Sequence, residues 1–143
     1  MRNAFKILCA TLVAGCLLQR AHATEPCLPS PCSGANQAID TARCRGLADW
    51  VATGTITRVV HHVQGEPVFK DFADFTFTVH ASEKGAMKPG REIRFQVGWC
   101  QNWLQLPKDT SGTFRFYGLP LPSDSGVPGQ YLYFERAAAT HSG

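Results

Sequence analysis

The sequence predicts an all-β fold, a small five-stranded OB-like barrel with a short helix and a disulfide-tethered N-terminal arm. Three observations lead there. Apolar and polar residues alternate with a period of two in several short segments. The links between those segments are short and carry Gly and Pro. The 143 residues amount to about one domain, and five short strands in one domain fit a small barrel or sandwich, the partly open OB type among them.

Residues 1–23 read as a signal peptide. Met1–Lys6 is a basic start, Ile7–Leu18 an apolar run, and Ala21-His22-Ala23 places small residues ahead of a cleavage point before Thr24. A bilayer span takes about 20 apolar residues. This run is shorter and no later segment approaches that length. Val13-Ala14-Gly15-Cys16 offers a competing lipobox, which would acylate Cys16 and make the membrane a partner. Leu17 and Leu18 carry the apolar run past Cys16 and favour soluble export. The expected location is therefore secreted or periplasmic, with a lipid-anchored envelope protein as the alternative.

Cleavage before Thr24 leaves Cys27, Cys32, Cys44 and Cys100. An even number in an exported chain reads as two structural disulfides, with three pairings open. Two prolines stiffen Cys27-Leu28-Pro29-Ser30-Pro31-Cys32 and disfavour a Cys27–Cys32 bridge. A link from Cys100 back to the arm would close a long loop, worth roughly 4 kcal/mol by chain entropy. No C-x-x-C pair is present to hold zinc.

Residues 24–47 form a Cys- and Pro-rich arm followed by a short helix over Ala38–Leu47, with Ile39, Ala42, Cys44 or Leu47 turned inward. Residues 48–136 form the barrel. Its opening strand, Trp50–Val63, alternates poorly, and Gly54 within it marks a bulge or sharp coil. In Ala73–Ala81, Phe75, Phe77 and Val79 share one face, while Asp74, Thr76, Thr78 and His80 share a wet one. In Glu92–Trp99, Ile93, Phe95, Val97 and Trp99 alternate with Glu92, Arg94, Gln96 and Gly98. In Thr113–Tyr117, Phe114 and Phe116 oppose Arg115 and Tyr117. Gln130–Arg136 groups Leu132 with Phe134 and leaves Tyr131 and Tyr133 on the outer face. Gly118–Gly129 is a Pro- and Gly-rich connector, and residues 137–143 are a flexible tail.

Charge narrows the function. Of the 14 Lys and Arg residues, Arg2, Lys6 and Arg20 lie in the signal segment, which holds none of the 11 acids. The remainder is neutral overall, without the cationic excess that a phosphate backbone demands, so no nucleic-acid partner is expected. There is no G-x-S-x-G, no H-E-x-x-H and no phosphate-binding glycine loop, and the chain reads as a non-enzyme with no cofactor. Glu66, Asp71 and Asp74 are scattered acids rather than an acid–base pair. Trp99, Gln101, Asn102 and Trp103 flank Cys100 and form the candidate recognition patch, rings to stack and amides to orient a ligand. Against that, large aromatics usually fill a core or cap a barrel end. His61 or His62 with His80 is the one candidate metal pair, and adjacent strand residues point to opposite faces, so His61 and His62 cannot easily share an ion.

A family resemblance adds to this. Cysteines in an N-terminal arm precede Ala48-Asp49-Trp50-Val51-Ala52-Thr53-Gly54-Thr55-Ile56. Phe75-Thr76-Phe77-Thr78-Val79, Glu83-Lys84-Gly85, Cys100 and Gly129-Gln130-Tyr131-Leu132-Tyr133-Phe134 follow in order. This succession, over about residues 27–136, resembles the bacterial relatives of the netrin and tissue-inhibitor-of-metalloproteinase (TIMP) domain, the NTR type. The resemblance implies an OB-like barrel with the arm crosslinked onto it, acting as a secreted, monomeric binding module toward a secreted or envelope protein. TIMP inhibitors chelate a protease zinc through the free amine of an N-terminal Cys. Here Thr24-Glu25-Pro26 would precede Cys27, so the resemblance extends to fold and binding but not to amine chelation. A non-chelating hydrolase inhibitor is the alternative, and a periplasmic metal-binding protein using His61, His62 and His80 is another.

Overall fold

The computed structural model describes residues 29–62, 72–98 and 106–138. Helix α1 (Thr41–Leu47) is followed by strands β1 (Trp50–His62), β2 (Phe72–Lys84), β3 (Glu92–Gly98), β4 (Phe114–Gly118) and β5 (Tyr131–Arg136). The strands form one antiparallel sheet in the order β3-β2-β1-β4-β5. The sheet is not closed by a ladder. Edge strand β3 meets the β4–β5 connector at one parallel bridge, Phe95 with Gly129, which leaves the fold a partly open, OB-like barrel.

The inner face is aromatic. Trp50, Phe75, Phe77, Phe95, Phe114, Phe116, Tyr131 and Phe134 pack with Ile56, Val79, Ile93 and Val97. Burying each Phe side chain contributes about 2 kcal/mol. Phe77 and Phe116 lie 4.3 Å apart between centroids, and Phe95 stacks on Phe116 at 5.5 Å. Rings of this size need small neighbours. A Cβ on Gly54 would fall 2.8 Å from the Phe77 ring, and one on Gly118 would fall 1.9 Å from the Trp50 indole. Trp50 is fixed there by its indole N–H, which donates to the Leu119 carbonyl at 2.8 Å.

The outer face carries a second, smaller core at the start of β1. Cys32, Cys44, Ala48, Val51, Tyr117 and Leu132 pack together with Ile39, Leu119 and Tyr133. Cys32 and Cys44 are joined, with Cα atoms 4.8 Å apart. Closing a loop of this length stabilises by about 3 kcal/mol through chain entropy. This pair settles one of the open pairings. Cys27, Cys100 and Cys16 lie outside the described residues.

Several sequence expectations are corrected by local geometry. The described part of the arm is a tight hairpin, with Ser33 bridged to Ile39 and Asp40 N–H donating to the Cys32 carbonyl at 3.0 Å. That hairpin uses Ala38 and Ile39, so α1 begins at Thr41, where Asp40 caps it by accepting from Arg43 N–H at 3.1 Å. Ala42 and Leu47 face solvent, and only Cys44 of the helix is buried. Thr76 is buried rather than wet.

Leu132 corrects the last strand. Tyr117 pairs with Tyr133 but Gly118 pairs with Tyr131, so Leu132 is an extra, bulged residue. The bulge shifts the alternation, placing Tyr131 and Phe134 in the inner core and Leu132 and Tyr133 against the outer one. Ala137, in the expected tail, is still tied by its N–H to the Thr113 carbonyl at 2.9 Å.

Gly118→Ala should destabilise the protein by about 3 kcal/mol, because the new methyl overpacks the indole. Urea unfolding followed by circular dichroism measures this, and an unchanged midpoint would contradict the packing of Trp50 over Gly118.

Candidate functional site

The sheet divides its outer face into a covered half and an open half. The covered half is held by charge as well as by the disulfide. Lys84, at the end of β2, donates through Nζ to the carbonyls of Arg45 at 2.8 Å, Gly46 at 3.4 Å and Ala48. These are the unpaired carbonyls at the end of α1, where a cation is favoured. Val51 pairs with Lys84 and Ala52 with Ser82, so Glu83 is bulged out of the ladder. Its carboxylate takes Arg45 from the helix and Arg115 Nε from β4, the latter at 2.8 Å. Arg115 reaches on to Glu135 of β5 at 3.1 Å, and the Tyr117 hydroxyl donates to the same Glu135 oxygen at 2.8 Å. Helix α1 and strands β2, β4 and β5 are thereby cross-tied over the start of β1.

This network shifts its members. Desolvation opposes ionisation of Glu83, but the hydrogen bonds and charges of Arg115 and Arg45 outweigh it and hold the carboxyl below its ordinary value. Burial, reinforced by Glu135, pushes Tyr117 up to about 12. Burial and the Glu135 charge also raise Tyr133, and burial raises Tyr131 well above the ordinary value.

The open half spans β1, β2 and β3 and is polar. Register sets Thr76 beside Arg94, Asp74 beside Gln96 and Thr78 beside Glu92. Arg58 sits at a bulge between Thr57 and Val60, with a left-handed φ of 53°, a conformation costing a non-glycine residue about 1 kcal/mol. From there its guanidinium reaches across to both carboxylate oxygens of Glu92, each at 3.2 Å. At the far end His62 Nε2 lies 2.9 Å from Asp74 Oδ2, with its ring stacked on Phe72 at 4.3 Å. Gln96 donates to the other Asp74 oxygen at 3.3 Å. The result is a surface of polar side chains held in place by one another across three strands.

The expected histidine pair does not assemble. His80 is a bulged residue whose Nε2 lies 3.3 Å from Thr55 Oγ1, whereas His61 and His62 pair with Ala73 and Phe72. Six residues of strand separate Thr55 from His61, roughly 20 Å. Among the described residues no group of three His, Cys, Asp or Glu side chains is placed to hold a metal. No described helix is long and apolar enough to cross a membrane. Trp99, Gln101, Asn102 and Trp103, with Glu66 and Asp71, lie outside the described residues. The sequence reading missed the His62–Asp74–Gln96 row and the Arg58–Glu92 pair. Alternation places Asp74 and Gln96 on wet faces, but nothing in the sequence alone pairs them.

No protein-family model matches the chain, and no curated protein and no solved structure matches it either.

The network sets two pH dependences. Because the native pKa of Glu83 is depressed, its stabilisation is complete above the ordinary value of 4.5 and is lost as pH falls through the lower native value. Glu83→Gln should cost about 1 kcal/mol at pH 7, with the gap to the parent closing below pH ~4; a gap independent of pH would contradict the network. At the alkaline end, all three tyrosines are raised. Phenolate absorbance at pH ~10.5 should therefore be lower in the native protein than in the unfolded chain. Ionisation of any one tyrosine near its ordinary value in the folded state would count against it.

Proposed function

We propose that this chain is an exported, disulfide-stabilised binding module whose partner is a secreted or envelope protein. One observation carries the reading. Cys32–Cys44 ties the arm to α1, Lys84 and the Glu83–Arg45 pair fix α1 over one half of the sheet, and the other half is left as an ordered polar surface. Side chains already held in place lose little freedom when a partner binds. The disulfide points to an oxidising compartment, and the signal-type segment before Thr24 supports export. The partly open five-stranded sheet fits the OB-like barrel that the NTR-type resemblance implies. Thr24-Glu25-Pro26 ahead of Cys27 argues for a mode of binding other than amine chelation. Near-neutral charge after residue 23 argues for a protein rather than a nucleic-acid partner. The module acts by binding, as a monomer, without a cofactor.

With Cys32 and Cys44 joined, Cys27 and Cys100 remain for the second bridge. Intact mass of the exported protein should show a start at Thr24 and a gain of about four mass units on reduction. A non-reduced peptide map should return Cys32–Cys44 and Cys27–Cys100. An acylated start at Cys16 would replace soluble export with a lipid anchor, and no gain on reduction would overturn the disulfide framework. A photo-crosslinking residue at Thr57, on the open half, should give a discrete heavier adduct in the exporting cell. The same residue at Ala42, on the outside of α1, should not. Adducts from neither site, or equally from both, would contradict the assigned surface.

A further inference from the structure

Arg58 holds a backbone conformation that its residue type does not favour. At the bulge between Thr57 and Val60 its φ is 53°, the left-handed region that glycine enters freely and in which a bulge is commonly built with glycine. Its guanidinium donates through both terminal nitrogens to the two oxygens of Glu92, each at 3.2 Å. The strand order here is β3-β2-β1, so the pair crosses over β2. Register places Thr76 on the path between them, and Thr76 is buried although it lies on the outer face.

Stability does not account for an arginine there. The two side chains are 68% and 48% exposed. An ion pair so open to water contributes little, no more than the backbone conformation costs. Strained residues held in this way gather at binding sites. The pair also sets what the site can take. Both terminal nitrogens are engaged and the charge is offset by Glu92, so a partner carboxylate would have to displace Glu92 and leave it uncompensated. The face of the guanidinium plane stays open. Among the described residues the guanidinium set over a ring is that of Arg136, on Phe114, and no ring covers Arg58. Val60, two residues on, is half exposed and shares the outer face through its pairing with Asp74.

We propose that Arg58 is the anchor of the open half and receives an aromatic side chain of the protein partner, stacked on its guanidinium. The negative face of a π-ring is attracted to a cation and does not compete for the donors that Glu92 already holds. A guanidinium fixed by two hydrogen bonds also loses little freedom when a ring settles on it. Val60 supplies apolar surface at the root of the same side chain, which suits a broad ring such as indole. This deepens the binding-module reading and rests on it.

The test uses the oxidised, exported protein, titrated separately with acetyl-Trp-amide, acetyl-Leu-amide and acetyl-Glu-amide and read by nuclear magnetic resonance. Acetyl-Trp-amide should move the Arg58 Nε–H upfield, as a proton over a ring face moves, together with the amides of Thr57 and Thr78. The other two should not. Arg58→Lys keeps the charge and lacks the plane, so the Thr57 and Thr78 shifts should fall about threefold in it. Equal shifts with acetyl-Leu-amide would overturn the aromatic preference. Larger Arg58 shifts with acetyl-Glu-amide would mean a carboxylate displacing Glu92, and would overturn it too. Indole shifts that Arg58→Lys leaves unchanged would place the ring elsewhere. In the exporting cell the Thr57 adduct should lose yield in Arg58→Lys. Full yield there would overturn the role of Arg58 and uphold the binding module, whereas no Thr57 adduct in the parent protein would overturn the module itself.

Discussion

The fold depends on large rings meeting residues with no side chain. The inner face is filled by Trp and Phe from all five strands, and close packing permits neither voids nor overlap. Trp50 occupies the place where a Gly118 side chain would be, and Phe77 occupies the place next to Gly54. These approaches bring β4 and β2 against β1 and fix the side of the sheet on which the rings lie. With the rings inside, Val51 and Tyr117 must face outward at the same end, and an outward apolar patch needs a cover. The arm and α1 supply it. The disulfide joins the arm to α1, and the Lys84 and Glu83 contacts fix that cover on the sheet, so the second core follows from the first.

The bulges then give the sheet its asymmetry. Glu83, His80 and Leu132 each stand outside the ladder. Glu83 leaves the alternation to meet Arg45 and Arg115, and Leu132 turns outward under the arm. Arg58, at a bulge on β1, is aimed at Glu92. One half of the outer face is thus dry and clamped, and the other is polar and ordered. An added residue re-aims a side chain and increases local twist, which is how one sheet presents two different outer surfaces.

Much of the fold was legible in the sequence where a strand has one buried and one wet face. Phe75-Thr76-Phe77-Thr78-Val79 and Ile93-Arg94-Phe95-Gln96-Val97 declare their inner residues by alternation alone, and both strands lie where that pattern puts them. Alternation fails at a bulge, which is why it puts Tyr131 on the outer face and Leu132 on the same face as Phe134. The helix start is hidden because Ala38 and Ile39 suit a helix by composition, while the Ser33–Ile39 bridge that claims them depends on contacts beyond the local run. Cysteine pairing and the Glu83–Arg115–Glu135 network join residues distant in the chain, and their spacing carries no period. The same holds for the candidate site. His62, Asp74 and Gln96 come from three strands and are brought together by register.

The sheet is left open except where edge strand β3 meets Gly129 of the β4–β5 connector. Amide hydrogen exchange, read residue by residue in the native protein, tests this most directly. Gly129 should be protected, with Glu92 exchanging far faster than its neighbour Ile93. Protection of Glu92 equal to that of Ile93 would mean a continuous ladder closing the barrel, and would contradict the open seam.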